Sequence, residues 1–264
     1  MTGINRPLTR DPTPFRIRTE DGIVLRGHRL GSDTTALVFC HGFMGWSRKP
    51  KLFRFQREVA RHFSVFAFDF RGHGRSEGRS AFGTEEHLDV EAAVRLARSE
   101  GCDRVVTFGA SMGGIAVIGH AAWLGGVDAA VAVSTPARWE GHDSSAVRRL
   151  IRYTGSRSGR WLLRAGRVRV IPAWDRPVDP ADLVGDISPI PLIVVHSHDD
   201  HFFDVEEAWT LYRNARPPKR LLLAPVFGHA QDGFTPAFAE RVADTVRSVL
   251  GPWPPEPARG EATA

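Results

Sequence analysis

Two short alternating segments open the pattern, Phe15–Thr19 and Val24–Leu30, with Asp21-Gly22 between them as the signal of a tight hairpin turn. Downstream the period changes. Ala36–Cys40, Val65–Phe68, Val105–Phe108, Ala129–Val133, Leu192–Val195 and Leu221–Leu223 are continuous apolar runs, as expected of strands buried on both faces of a parallel sheet. Helical periodicity marks Lys51–His62, Thr84–Ser99, Ser111–Trp123, Val205–Arg213 and Phe234–Leu250. Strand alternating with helix predicts an α/β architecture, a mostly parallel central sheet flanked by helices with right-handed crossovers. The alternation lapses between Pro136 and Pro189, where no buried strand is evident, and a helical insertion over one end of the sheet is expected there, at about residues 136–190. The Pro-rich tail, residues 251–264, is expected to be disordered, leaving residues 1–250 as a single domain.

Composition narrows the class. Of 264 residues 42% are hydrophobic and 25% charged, which excludes collagen, a disulfide scaffold and wholesale disorder. Two cysteines, Cys40 and Cys102, fit a reduced, cytoplasmic setting, and the N-terminal residues carry no apolar signal-peptide core. Val105 to Val127 runs without a formal charge for long enough to span a bilayer. A buried strand leading into a buried helix accounts for the same run, so no transmembrane segment is expected.

The net charge of +5 is localised. Eight Arg and no Asp or Glu lie between Val147 and Val170, and taking those eight charges away leaves −3 for the rest of the chain. The cluster from Arg148 to Arg169 is either a solvated helical surface or a docking site for an anionic group, such as coenzyme A, a carrier protein or a lipid headgroup. No nucleic-acid-binding module accompanies the charge, and no nucleic-acid partner is expected.

G-x-S-x-G occurs twice, around Ser76 and around Ser111. A nucleophile elbow needs a strand that stops abruptly, a strained turn and a helix that starts at once. Ser111 has an apolar strand before it and a helical stretch after it, whereas loop composition surrounds Ser76, so Ser111 is the candidate nucleophile. A serine hydroxyl needs a base, and the base an orienting acid. His229 follows the last predicted strand, and Asp199 or Asp200 follows the one before it, giving the chain order Ser, Asp, His. Backbone N–H groups of Met112, after the nucleophile, and Phe43, in the loop His41-Gly42-Phe43, are candidates to bind an oxyanion. His41 reads as a packed loop residue. Trp46, Trp139 and Phe202 are candidates for an apolar substrate pocket.

His41-Gly42-Phe43, Asp69-Phe-Arg-Gly-His-Gly-Arg-Ser76, Gly109-Ala-Ser111-Met-Gly113, the Asp200 loop and Gly228-His229 together resemble the α/β-hydrolase superfamily, in particular bacterial serine esterases, lysophospholipases and aminopeptidase-like members. The resemblance spans about residues 15 to 250 and implies the α/β-hydrolase fold, with 136–190 as a small helical lid. It also implies a serine hydrolase of the carboxylesterase or thioesterase type, acting on a small-molecule acyl substrate with no cofactor and no metal. The family's acid loop reads Gly-x-x-Asp. Ser197 stands in place of that Gly, which puts the acid at Asp200, with Asp199 as the alternative. The same scaffold supports acyl transfer, other non-hydrolytic chemistry and peptidase-like amide hydrolysis. A more remote alternative is a metal-dependent hydrolase, since His196, His198, Asp200 and His201 fit H-x-H-x-D-H.

Overall fold

The computed structural model describes residues 11–141, 144–172 and 177–251. Eight strands form one sheet: β1 (Thr13–Arg18), β2 (Val24–Leu30), β3 (Thr35–Cys40), β4 (Ser64–Phe68), β5 (Arg104–Ala110), β6 (Ala129–Val133), β7 (Leu192–Ser197) and β8 (Lys219–Ala224). Their order across the sheet is β1-β2-β4-β3-β5-β6-β7-β8. β1 and β2 form the expected antiparallel hairpin, and β2 also runs antiparallel to β4. From β4 across to β8 every pairing is parallel, so the C-terminal ends of these six strands share one edge.

The alternation of side chains along each strand sorts the core into two layers. Leu37 and Phe39 of β3 pack on one face with α1 (Pro50–Val59) and α8 (Pro236–Leu250). Ala36, Val38 and Cys40 face the opposite way, against α2 (His87–Ser99) and α3 (Met112–Trp123). On the α1–α8 side Phe55 stacks on Phe234 with ring centres 4.3 Å apart, and Phe39 stacks on Phe108 at 5.5 Å. Such pairs contribute about 0.5–1.5 kcal/mol each beyond their burial.

The segment between β6 and β7 carries α4 (Ser145–Gly155), α5 (Arg157–Ala165) and the short α6 (Pro180–Leu183), followed by a 3₁₀ turn at Val184–Ile187; α7 (Val205–Asn214) then links β7 to β8. Ser144 and Ser156 cap α4 and α5 by accepting from Val147 N and Gly159 N. The insertion is helical as expected, but it also returns to the body. His73 bridges Val168 and Ser80 bridges Val170, two isolated β pairings that the sequence pattern does not mark.

The starts of α2 and α8 fall later than the periodicity suggests. Glu86, buried, accepts from Ser80 Oγ, Ala81 N and Gly83 N, folding 80–86 into a loop so that α2 begins at His87 rather than at Thr84. Residues 230–233 form a 3₁₀ turn, and Thr235 caps α8 ahead of Pro236. Of the predicted tail only Gly251 belongs to the described residues.

Candidate active site

β5 ends at Ala110, α3 begins at Met112, and Ser111 turns the corner with φ 53° and ψ −116°. A positive φ on a residue with a Cβ costs about 1–3 kcal/mol, so the surroundings must hold it. The flanking glycines show how. A Cβ at Gly109 would collide with the carbonyl of Gly113, and one at Gly113 with the carbonyl of Cys40 at the end of β3. Strand, turn and helix approach so closely that only hydrogen fits at either position. Ser111 is left half-buried at the sheet edge.

The strand ends then connect in steps. Ser111 N–H donates to Val133 O (2.8 Å), Ser134 N–H to Val195 O (2.9 Å) and His198 N–H to Ala224 O (3.0 Å). Ser134, with φ 49° and fully buried, also accepts Ala230 N–H on its hydroxyl at 2.9 Å. His229 therefore joins a chain segment tied to the strand whose end holds the Ser111 backbone. Ser134 escapes sequence reasoning; the signal that could have found it is a serine closing the apolar run Ala129–Val133.

His229 Nδ1 sits 2.8 Å from Asp200 Oδ2 and 3.0 Å from Oδ1. The Asp200 carboxylate is fully buried and also accepts N–H bonds from Phe202 (2.8 Å) and Phe203 (3.2 Å). Burial alone would raise its pKa, but the hydrogen bond and charge of His229, with the two N–H groups, outweigh burial and hold it below the ordinary carboxylate value. Being anionic, Asp200 fixes the proton of the imidazole on Nδ1 and leaves Nε2 as the basic nitrogen. Asp199 points elsewhere. It is exposed, and Oδ1 accepts from Phe227 N (2.9 Å), Gly228 N (2.8 Å) and the Ser197 hydroxyl, clamping the loop that delivers His229.

Gly42 lies against the elbow: a Cβ there would be 3.4 Å from Ser111 Cβ. Its carbonyl is taken up by Gly45 N–H (2.9 Å) and by His41 Nδ1 (2.8 Å). Among the described residues no acceptor takes the Phe43 N–H, and Met112, first in α3, has no intrahelical acceptor for its own. His41 donates through Nδ1 and accepts Phe70 N–H on Nε2 (3.1 Å), and burial lowers its pKa to about 4. It is neutral and committed on both nitrogens.

Ser76 is buried, gives its hydroxyl proton to Asp69 O and accepts from Arg26 N at 3.0 Å. Phe202 packs against the imidazole, ring centres 4.4 Å apart. Trp139 is set at the base of the insertion, its indole N–H on Val178 O at 2.9 Å, and Trp46 lines a cleft with Arg48, Asp69 and Gly74. The metal-dependent alternative is corrected by side-chain direction. His196 is buried with Nε2 on Phe203 O (3.0 Å), while His198 and His201 are exposed. Among the described residues no group of three or more His, Cys, Asp and Glu could hold a metal ion. Among the same residues no helix is long and apolar enough to cross a membrane.

Residues 37–259 match the family described as "Alpha/beta hydrolase family". Among curated proteins, "Uncharacterized protein YfhR" of Escherichia coli O157:H7 is 29% identical over 246 residues, which is 88% of this chain and 76% of that protein. The protein of the same name from Salmonella typhi is 28% identical over 206 residues, 72% of this chain and 61% of its own length. Among solved structures, the Pyrococcus furiosus esterase Pf2001 superposes with a TM-score of 0.71 at 21% identity, covering 95% of this chain and 98% of that one. The esterase RhEst1 from Rhodococcus sp. ECU1013 gives 0.69 at 20% identity, covering 90% and 98%. At these identities the structural likeness is one of fold.

Proposed function

Since the chain belongs to the alpha/beta hydrolase family, we propose that it is a serine hydrolase cleaving a carboxylic ester or thioester through an acyl-enzyme. The observation that carries this reading is the buried Asp200 carboxylate paired with His229 Nδ1, on a loop tied through Ser134 to the strand end beside Ser111. His229 Nε2 takes the proton of Ser111 as Oγ attacks the acyl carbonyl, and the imidazolium that forms is stabilised by Asp200. Phe43 and Met112 N–H groups receive the developing oxyanion. Collapse of the tetrahedral intermediate passes the proton from His229 to the leaving alcohol or thiol. Water, deprotonated by His229, then releases the acid and restores the serine.

A fluorophosphonate probe tests the nucleophile directly. The wild-type protein is expected to be labelled, Ser76→Ala to be labelled equally, and Ser111→Ala to remain unlabelled. On p-nitrophenyl butyrate, Ser111→Ala and His229→Ala are each expected to lose at least about 10³-fold in kcat/KM, without adding when combined. Labelling that survives Ser111→Ala would overturn the assignment.

A further inference from the structure

Three adjoining clefts, which share lining residues, form a trench near the Phe43 loop. A cleft of about 410 Å³ is lined by Gly74, Arg75, Arg164, Arg167 and Arg169. It shares Arg164 and Arg169 with a second, of about 260 Å³, to which Arg79, Arg157 and Trp161 are added. On its other side it shares Gly74, Arg75 and Arg167 with a third, of about 500 Å³, which brings in Arg26, Arg48 and Trp46. Arginines from stretches of chain far apart in sequence thus line adjoining clefts.

These charges have little to balance them. Among the described residues the one carboxylate lining the trench is Asp69, buried, with Oδ1 on Ser47 N–H (2.7 Å) and Oδ2 on Arg75 N–H (2.9 Å). Some of the arginines are structural: Arg169 binds the carbonyls of Ser76 and Gly78, Arg79 reaches Val170 O, and Arg48 lies over Phe53. Arg26, Arg75, Arg157, Arg164 and Arg167 take part in no ion pair among the described residues. Gathering like charges with no counterion works against the compact state. A bound polyanion removes that cost, and guanidinium is the group best shaped for phosphate, through paired N–H donors.

The trench is also well placed. It begins in the loop after β4, and β3 alone separates β4 from β5, the strand that leads into Ser111. Phe43 stands between, its ring on His73 (5.5 Å), and the next residue, Gly74, donates to Arg167 O at 3.0 Å. An acyl group bound at Ser111 can leave its alcohol or thiol half on this side.

We propose that the trench binds the phosphate-bearing half of the acyl substrate, so that the leaving group is a phosphorylated thiol or alcohol. This rests on the serine-hydrolase reading for its catalytic consequence but not for the binding itself. The test therefore has two arms. In the first, coenzyme A and sn-glycerol 3-phosphate are titrated calorimetrically into the full chain carrying Ser111→Ala. At least one is expected to bind below millimolar, more weakly as salt is raised, and at least tenfold more weakly once Arg75→Glu and Arg164→Glu are added. Arg213→Glu, the same charge change on α7, should leave that affinity in place. In the second arm, the ratio of kcat/KM for butyryl-coenzyme A to that for p-nitrophenyl butyrate is expected to fall at least tenfold in Arg75→Glu/Arg164→Glu. Binding of coenzyme A alone identifies a nucleotide thioester as the source of the phosphate, and binding of glycerol phosphate alone a phospholipid-type ester. Binding with no turnover of either ester supports the trench and sinks the hydrolase reading. If neither compound binds below millimolar, or if coenzyme A binds and the ratio is unchanged, the proposal is wrong.

Discussion

Replacing Asp200 by Asn keeps the size of the side chain and removes its charge, while the N–H groups of Phe202 and Phe203 retain an acceptor. What is lost is the attraction between the carboxylate and the imidazolium that forms as Ser111 attacks. With Nδ1 2.8 Å from Oδ2 and the carboxylate fully buried, the charge centres lie close and little screened. At roughly 4 Å and an effective dielectric of about 20, that attraction is about 4 kcal/mol, or about three decades in rate. An asparagine amide can also donate to Nδ1, which turns the proton of the neutral ring toward Ser111 and brings the expected loss in kcat to about 10³–10⁴-fold. Asp199→Asn is the matched control. It weakens the clamp on Phe227 and Gly228 but leaves the imidazole its partner, and kcat should stay within about tenfold of wild type. Steady-state hydrolysis of p-nitrophenyl butyrate, with circular dichroism melts to show that both variants fold, reads the difference. If Asp199→Asn loses as much as Asp200→Asn, or if Asp200→Asn keeps a tenth of wild-type turnover, the acid has been misassigned.

Other outcomes follow from the packing. Ser134→Ala strands the buried Ala230 N–H and should cost about 1–3 kcal/mol in urea unfolding, with a fall in kcat from a looser His229. Arg71 is almost fully buried between Asp89, Asp21 and Glu85, so Arg71→Met strips the buried Asp89, whose carboxyl pKa burial already pushes up to about 7, of its partner and forces it to take up a proton, and should destabilise by about 3–5 kcal/mol. Burial lowers the pKa of His28 and His41 to about 4 and of His73 to about 3. Above about pH 6.5 these rings are neutral in both states; as pH falls from there toward about 4, the unfolded chain takes up protons that the folded one refuses. These three rings should therefore take up to about 4 kcal/mol per pH unit off the stability across that window, partly offset by Asp89 and Glu86, whose carboxyls burial pushes up, and His73→Phe should make the fall shallower in unfolding curves at pH 7 and 5.

The parallel sheet was legible because strands buried on both faces leave unbroken apolar runs, and β6 falls at the residues predicted, Ala129–Val133. Strand ends were less so. β5 continues through Gly109 and Ala110, past the predicted end at Phe108, because both pair with β6 at Ala132 and Val133. Ser111 could be chosen over Ser76 from local context, since an elbow is built from neighbours in sequence. Asp199 and Asp200 could not be separated by local pattern alone: adjacent carboxylates differ only in which long-range partner they meet, His229 for one and the backbone at 227–228 for the other. The trench was half visible. Arg148 to Arg169 stood out as a run, whereas Arg26, Arg48, Arg75 and Arg79 are scattered and join that space only through the folding of the β2–β4 edge.

The two isolated bridges, at His73–Val168 and Ser80–Val170, fasten the insertion to the body at its far end. With Arg169 clasping the carbonyls of Ser76 and Gly78 as well, residues 168–170 act as a strap sewn to the floor beside the Phe43 loop. While those bonds hold, residues 168–170 stay fixed to the body, and any shift of the α4–α5 hairpin has to hinge about that seam.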